Sequence, residues 1–73
     1  MSYLTSKDWA YRYLAGEANV IQKHLDLDDI TVDKANKLMT FAVSEARRLY
    51  LKDDTIKITW AISRSGRITL NNF

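Results

Sequence analysis

The densest group of titratable side chains in this sequence lies around His24 and the acidic run DLDD, Asp26 to Asp29. Carboxylates at alternating positions are the ligands that a calcium-binding loop supplies. Such a loop also needs a glycine at its sharp turn and a glutamate at its end, and the segment DLDDITVD has neither. We therefore interpret the acidic run as a solvated connection and predict no metal site in it.

Catalytic chemistry has little support elsewhere in the chain. His24 is the only histidine and there is no cysteine, so disulfides and zinc–thiolate sites are excluded. Nothing in the sequence places a serine near His24, and the glycine-rich motifs that bind nucleotide phosphates are absent. We predict a protein that binds rather than catalyses, without a metal or a cofactor.

A better candidate for function is an aromatic residue among charged ones. Phe41 falls on the polar side of a predicted helix, and an exposed aromatic ring with a charged rim resembles the anchor of a protein interface. The sequence thus predicts a protein-binding module, such as an inhibitor, an adaptor or a regulator, for a protein partner of unknown identity. The predicted binding residues are Lys34, Lys37, Phe41, Glu45 and Arg48.

Two further placements of Phe41 involve no foreign partner. In one, the ring lies beneath a loop or beneath the N-terminal segment around Tyr3 and Leu4. In the second, it lies in a homodimer contact. We favour a surface position, because seven apolar residues already form a continuous stripe on the opposite side of the same helix.

Nucleic-acid binding is the alternative class of function. A two-stranded ribbon with short polar and basic side chains can enter a major groove. Exposed strands often carry such residues without that role, and a formal net charge of +2 is weak for a dedicated DNA-binding protein, so protein binding is favoured. The candidate ribbon residues are Lys57, Thr59, Arg64, Arg67, Thr69 and Asn71, and the second helix adds Lys34, Lys37, Arg47, Arg48 and Lys52.

Length and composition predict one small domain. The 73 residues form a single unit, residues 1–73, with a thin core, and the apolar fraction of 47% is that of a globular chain. No apolar run approaches the roughly 18 residues of a membrane span, and the N-terminus lacks the pattern of a secretion signal. We therefore expect a cytoplasmic protein with no membrane partner.

The first helix is predicted from about Ser6 to Leu25, with Thr5 as its cap and Asp8 completing a capping box. Two apolar stripes, roughly a third of a turn apart, predict a helix that is covered from two sides. Gly16 lies in the second stripe and indicates close packing in a continuous helix, or a break. The first stripe holds Leu14, Ala18, Ile21 and Leu25, and the second holds Trp9, Tyr13, Val20 and His24.

The second helix is predicted to begin after Thr31, with Asp33 near the positive end of the helix dipole. Its apolar stripe includes three alanines, which allow a partner helix to approach closely. At about 100° per residue, Phe41 lies about 120° from the centre of this stripe. The stripe holds Ala35, Leu38, Met39, Ala42, Ala46, Leu49 and Tyr50.

The last third of the chain is predicted to form a β-hairpin, because apolar and polar residues alternate from Ile56 to Ile62 and again from Ile68 to Leu70. A three-residue loop with Gly66 in the left-handed conformation keeps the apolar residues on one face. A two-residue loop would mix the faces and set Arg64 opposite Arg67. The predicted pairs are Ser63 with Arg67, Ile62 with Ile68 and Trp60 with Leu70.

These elements predict an α+β fold of two antiparallel helices followed by a C-terminal β-hairpin packed on them, in the order ααββ. The second helix is expected to cover one stripe of the first helix, and the hairpin the other. Open strand edges, a thin core and Phe41 together also predict a homodimer. Pairing of hairpins across that dimer would give a four-stranded sheet.

Overall fold

The computed structural model of the chain describes residues 4–51 and 57–71. It contains two packed helices followed by a two-stranded antiparallel sheet, so the predicted ααββ arrangement is confirmed. Ile56, the predicted start of the first strand, lies outside the described residues, and within them the strand begins at Trp60, later than predicted. The elements are α1 (Ser6–Asp26), α2 (Val32–Tyr50), β1 (Trp60–Ile62) and β2 (Ile68–Leu70).

The predicted capping box fixes the start of α1. The Thr5 hydroxyl oxygen accepts a hydrogen bond from the Asp8 N–H at 3.2 Å, and the Asp8 carboxylate accepts one from the Thr5 N–H at 2.9 Å. Hydrogen bonds from the Thr5 backbone and side chain lower the pKa of the Asp8 carboxyl group. The helix then continues without a break through Gly16. The predicted close packing at Gly16 is wrong, because the residue is exposed and an added Cβ atom would meet nothing within 4 Å.

The acidic run ends α1 and turns the chain toward α2. Asp28 adopts a left-handed φ of 60°, which aspartate tolerates better than most residues. The Asp28 N–H donates to the Leu25 carbonyl oxygen at 3.0 Å, and the Asp29 N–H donates to that of His24 at 2.9 Å. These bonds satisfy carbonyl groups at the end of the helix. Thr31 then caps α2, as predicted.

The two helices pack along stripes that are rich in alanine, which brings their backbones close together. The α2 stripe differs from the prediction at two positions. Leu49 is 50% exposed, whereas Val43, outside the predicted stripe, is buried. Val43 belongs to a cluster with Leu51 and Ile58, so the buried side of α2 extends further toward the last third of the chain than periodicity alone predicts. The buried stripe residues are Ala10, Leu14, Ala18 and Ile21 of α1 with Ala35, Met39, Ala42 and Ala46 of α2.

The hairpin has the predicted register. The Ser63 N–H donates to the Arg67 carbonyl oxygen at 3.0 Å, and the Gly66 N–H donates to the Ser63 carbonyl oxygen at 2.9 Å. Gly66 has a φ of 85°, in the left-handed region that favours glycine. This turn keeps the apolar side chains of both strands on the inner face. The Cα pairs are Trp60 with Leu70, Ala61 with Thr69 and Ile62 with Ile68.

Gln22 of α1 holds the hairpin against the helix pair. Its Nε2 atom donates to the Gly66 carbonyl oxygen at 2.7 Å, and its Oε1 atom accepts from the Ile68 N–H at 2.8 Å. The Ile62–Ile68 pair lies between hydrogen-bonded pairs of the ladder, so the Ile68 N–H points away from β1. Gln22 therefore supplies, at the outer edge of β2, hydrogen bonds that a third strand would otherwise make.

The hairpin does not cover the second stripe of α1. It packs on the side of Gln22 and Leu25, whereas the second stripe of α1 stays open, with Val20 54% exposed and His24 exposed. Gln22 and Val20 lie about 160° apart around the helix, so one narrow hairpin cannot cover both. The expectation that α2 and the hairpin would each cover one of the two stripes is therefore wrong.

Gly66→Ala should lower the free energy of unfolding by about 1 kcal/mol or more, because alanine resists the left-handed conformation. An added Cβ atom would lie 3.9 Å from the Leu25 Cβ atom, an ordinary contact, so the cost comes from the backbone. The matched control is Gly16→Ala in the open interior of α1, which should raise the free energy of unfolding by about 0.5–1 kcal/mol. Urea denaturation followed by circular dichroism gives both values. A Gly66→Ala variant as stable as the parent would contradict this turn.

Candidate protein-binding surface

An open groove of about 320 Å³ runs between α1 and α2 on the side away from the hairpin. Both helices contribute apolar side chains to its walls, and two aromatic rings face it. Its polar groups are two carboxylates, an imidazole and the hydroxyl group of Tyr13. The residues that define it are Tyr13, Glu17, Val20 and His24 of α1 with Leu38, Phe41 and Glu45 of α2.

The predicted binding residues form one face of α2 beside this groove. They recur at i, i+3, i+7, i+11 and i+14, which places them on one side of the helix. Phe41 and Glu45 line the groove, whereas the three basic residues lie outside its lining. Glu45 is half-buried and the other four are exposed. We call this set, Lys34, Lys37, Phe41, Glu45 and Arg48, the Phe41 face.

The ring of Phe41 lies open to solvent. It is 70% exposed, compared with 47% for Trp9 and 40% for Tyr11, so residues 4–51 and 57–71 leave the ring uncovered. Leu4, one of the two residues expected near it, is half-buried, and Tyr3 lies outside the described residues. The physical reason is the position of Phe41 on α2, well away from the buried stripe around Met39.

One end of the groove is acidic. Burial raises the pKa of the Tyr13 hydroxyl group, and the nearby carboxylates of Glu17 and Glu45 raise it further. Arg48 donates from Nη2 to the Glu45 Oε2 atom at 2.7 Å, and this hydrogen bond raises the pKa of the guanidinium group. The side chains of Arg48 and Glu45 are 68% and 47% exposed, so water screens this ion pair and it contributes little to stability. The Tyr13 ring also packs against the ring of Tyr50, with 6.0 Å between centroids.

The other end of the groove is flanked by basic residues. His24 lies there, with its Nδ1 atom 3.1 Å from the Asp29 Oδ2 atom. Lys34 and Lys37 precede Phe41 on α2 and are both exposed. Within residues 4–51 and 57–71, neither lysine forms an ion pair. The Phe41 face therefore has two lysines before Phe41 and the Glu45–Arg48 ion pair after it.

The α1 wall of the groove is the part that sequence patterns did not predict. Tyr13, Val20 and His24 belong to the second stripe of α1, which was expected to be covered either by α2 or by the hairpin. The sequence did contain a signal for the groove, because both helices have apolar residues away from their main stripe, Val20 on α1 and Phe41 on α2. Two such positions on neighbouring antiparallel helices indicate a shared groove. Gln22 gave no comparable signal, since hydrophobic periodicity does not identify a polar contact.

The residues of the nucleic-acid alternative are exposed on the hairpin and its approach. The outer face is partly engaged within the hairpin, because the Asn71 Nδ2 atom donates to the Thr59 Oγ1 atom at 2.9 Å. The exposed set comprises Lys57, Thr59, Arg64, Arg67, Thr69 and Asn71.

Three basic residues of α2, Lys34, Lys37 and Arg48, lie on a different side of the helix from the hairpin. The Trp60 Nε1 atom donates to the Asn36 Oδ1 atom at 3.0 Å, which identifies the side of α2 that meets β1. Phe41 follows Asn36 by five residues and lies about 140° from it around the helix. Arg47 is half-buried, and Lys52 lies outside the described residues. The structure therefore separates Lys34, Lys37 and Arg48 from the cations of the hairpin, whereas Arg47 lies about 20° from Asn36 around the helix, on the side that meets β1.

In the ranges 4–51 and 57–71, no three His, Cys, Asp or Glu side chains come together as a metal-binding group. Over the same ranges, neither helix combines the length and the apolar character that a membrane crossing requires.

No protein-family model matches the chain, and neither a curated protein nor a solved structure matches it.

In dilute protein, where the chain is monomeric, Phe41→Ala should leave the free energy of unfolding within about 0.5 kcal/mol of the parent value, as an ordinary surface change does. Met39→Ala provides the contrast on the same helix: Met39 is fully buried, and the truncation should cost about 2–5 kcal/mol. Urea denaturation of the two variants measures both values. A loss for Phe41→Ala as large as the loss for Met39→Ala would show that the folded chain covers Phe41.

Proposed function

We propose that this chain is a small, non-catalytic protein-binding module, an inhibitor, adaptor or regulator, that binds its partner through the Phe41 face. The observation that supports this best is the 70% exposure of Phe41 beside an open apolar groove. Scattered exposed apolar residues are common on protein surfaces. A ring that adjoins a concave apolar surface is more informative, because it offers a partner both an anchor and a site to fill.

The energetics of interfaces fit this arrangement. Most binding energy comes from a few central side chains, often aromatic, that become fully desolvated. Phe41 would be such an anchor, and Val20 and Leu38 on the groove walls would be buried with it. Complete burial of a phenylalanine side chain is worth about 1.5–3 kcal/mol. The surrounding charges would then act mainly on partner choice and on the rate of association.

The polar groups around the groove suit a rim. Arg48 is already paired with Glu45, and His24 lies against Asp29. At the edge of an interface each of these groups can therefore keep its hydrogen-bond partner. The basic end of the Phe41 face, with Lys34 and Lys37, would favour an acidic segment of the partner at that end.

Nucleic-acid binding through the hairpin is the alternative. Its support is the exposure of Arg64 and Arg67 in and beside the turn, with Lys57 near the start of β1. These cations are few, and Lys34 and Lys37 face in another direction. Because affinity for nucleic acid rises with the number of phosphates neutralised together, this surface has weaker support than the Phe41 face.

We propose a cytoplasmic location for the protein. Affinity capture from the cytoplasm of the source cells, with and without nuclease, distinguishes protein binding from nucleic-acid binding. The parent protein should recover a defined protein that survives nuclease treatment. Phe41→Ala should bind that protein about 30-fold more weakly, the effect of losing a hot spot. Leu27→Ala is the matched control, because Leu27 is 71% exposed, as much as Phe41, yet lies outside the groove.

Equal recovery by Phe41→Ala and by the parent would contradict the use of the Phe41 face. Recovery that disappears after nuclease treatment, and that falls steeply with salt, would favour the hairpin and nucleic acid instead.

A further inference from the structure

We propose that a second copy of this chain docks on the Phe41 face, with the two α2 helices antiparallel across a two-fold axis at Phe41. This inference names an occupant for the surface described above, so it rests on the proposed function. A closed dimer of this kind would mask the Phe41 face, and a foreign partner would then compete with self-association for it. Monomer concentration would thereby regulate access to the site.

The spacing of charges around Phe41 supports a two-fold arrangement. Lys37 precedes Phe41 by four residues and Glu45 follows it by four. Each therefore lies about 6 Å from Phe41 along the helix axis, in opposite directions. A two-fold axis at Phe41 sets Lys37 of each copy opposite Glu45 of the other, so the complementary contact occurs twice.

Both members of this pair have capacity for the new contact. In the described part of the chain Lys37 makes no ion pair. Glu45 receives Arg48 on its Oε2 atom, and a carboxylate can accept hydrogen bonds on both oxygens. Its side chain keeps 47% of its surface exposed, so a lysine from another molecule can reach it.

The apolar surface is also self-complementary. The two-fold axis brings the two Phe41 rings together beside the grooves of both copies, where Val20 is 54% exposed and Leu38 is half-buried. The described core is small, with Leu14 and Met39 as its largest fully buried side chains. A second helix pair would extend this core on its open side, a support that small domains without disulfides often use.

The strand edges offer less to a second copy than the groove does. Gln22 already satisfies the outer edge of β2 at Gly66 and Ile68, so hairpin pairing would have to use β1. That strand has three residues. The four-stranded sheet across a dimer stays a prediction, and the charge variants below distinguish it from the arrangement proposed here.

Lys34 and Arg48 make the geometry testable. Each lies seven residues from Phe41, on opposite sides, so the same axis brings Lys34 of one copy toward Arg48 of the other. This contact is repulsive in the parent protein. Lys34→Glu and Lys37→Glu change the net charge equally, but the first removes a repulsion and the second removes an attraction.

Sedimentation equilibrium over a range of protein concentrations, at low salt, measures the dimer dissociation constant of each variant. Lys37→Glu and Glu45→Lys should each weaken the dimer about tenfold, because two attractive pairs become repulsive. An equimolar mixture of these two variants should form a heterodimer about as tight as the parent dimer, since both cross-axis pairs are again of opposite sign. Lys34→Glu should tighten the dimer several-fold, and Phe41→Ala should weaken it about 30-fold.

Circular dichroism of each variant establishes that it is folded before its dimer constant is compared. The inference is overturned by a monomer mass at high micromolar concentration. It is also overturned if Lys34→Glu and Lys37→Glu shift the dimer dissociation constant in the same direction. A dimer dissociation constant that Phe41→Ala leaves unchanged overturns it as well, and is the result expected if the dimer forms by hairpin pairing. If the protein is a monomer that still captures a foreign protein through Phe41, this inference is wrong and the proposed function holds. If the dimer shows the predicted charge dependence but Phe41→Ala captures the foreign protein as well as the parent does, this inference holds and the proposed function is wrong.

Discussion

The hydrogen bonds between Gln22 and the hairpin decide which side of the helix pair is covered. One amide group binds both the Gly66 carbonyl and the Ile68 N–H, and so fixes the start of β2 over α1. The inner face of the hairpin then packs beside Leu25, Ala35 and Met39. Two strands of three residues each cover one side of two helices and no more. The opposite side is therefore the place where an apolar groove stays open.

The distribution of side-chain size follows from this one-sided packing. Between the helices, alanines bring the backbones together but bury little area each, so the described core contains few large side chains. The capping interactions at Thr5 and Thr31 help to define the helices, yet they add no apolar burial. Phe41 and Val20, which could have enlarged the core, lie on the open side. Association through that side would add burial to a thin core, so binding and stability are coupled.

Local physical chemistry accounts for the part of the fold that the sequence predicts. Thr5, Asp8 and Gly66 act over a few residues, and the alternation of the strands specifies one register once Gly66 is left-handed. The position of Phe41 also follows from the period of a helix. The side of α1 under the hairpin was not predictable in this way, because periodicity shows that a stripe is apolar but not which neighbour covers it. Gln22 and Val43 were missed for the same reason, since their roles depend on tertiary contacts.

The central claim is that the Phe41 face is open in the folded monomer and becomes covered on association. Hydroxyl-radical labelling of the protein across a dilution series, with oxidation measured by mass spectrometry, tests it directly. Phe41 should be oxidised readily in dilute solution and become protected as the concentration rises. Leu27, equally exposed but outside the groove, should be oxidised to the same extent throughout. Protection of Phe41 in the most dilute folded sample would contradict the account, because the chain itself would then cover the ring.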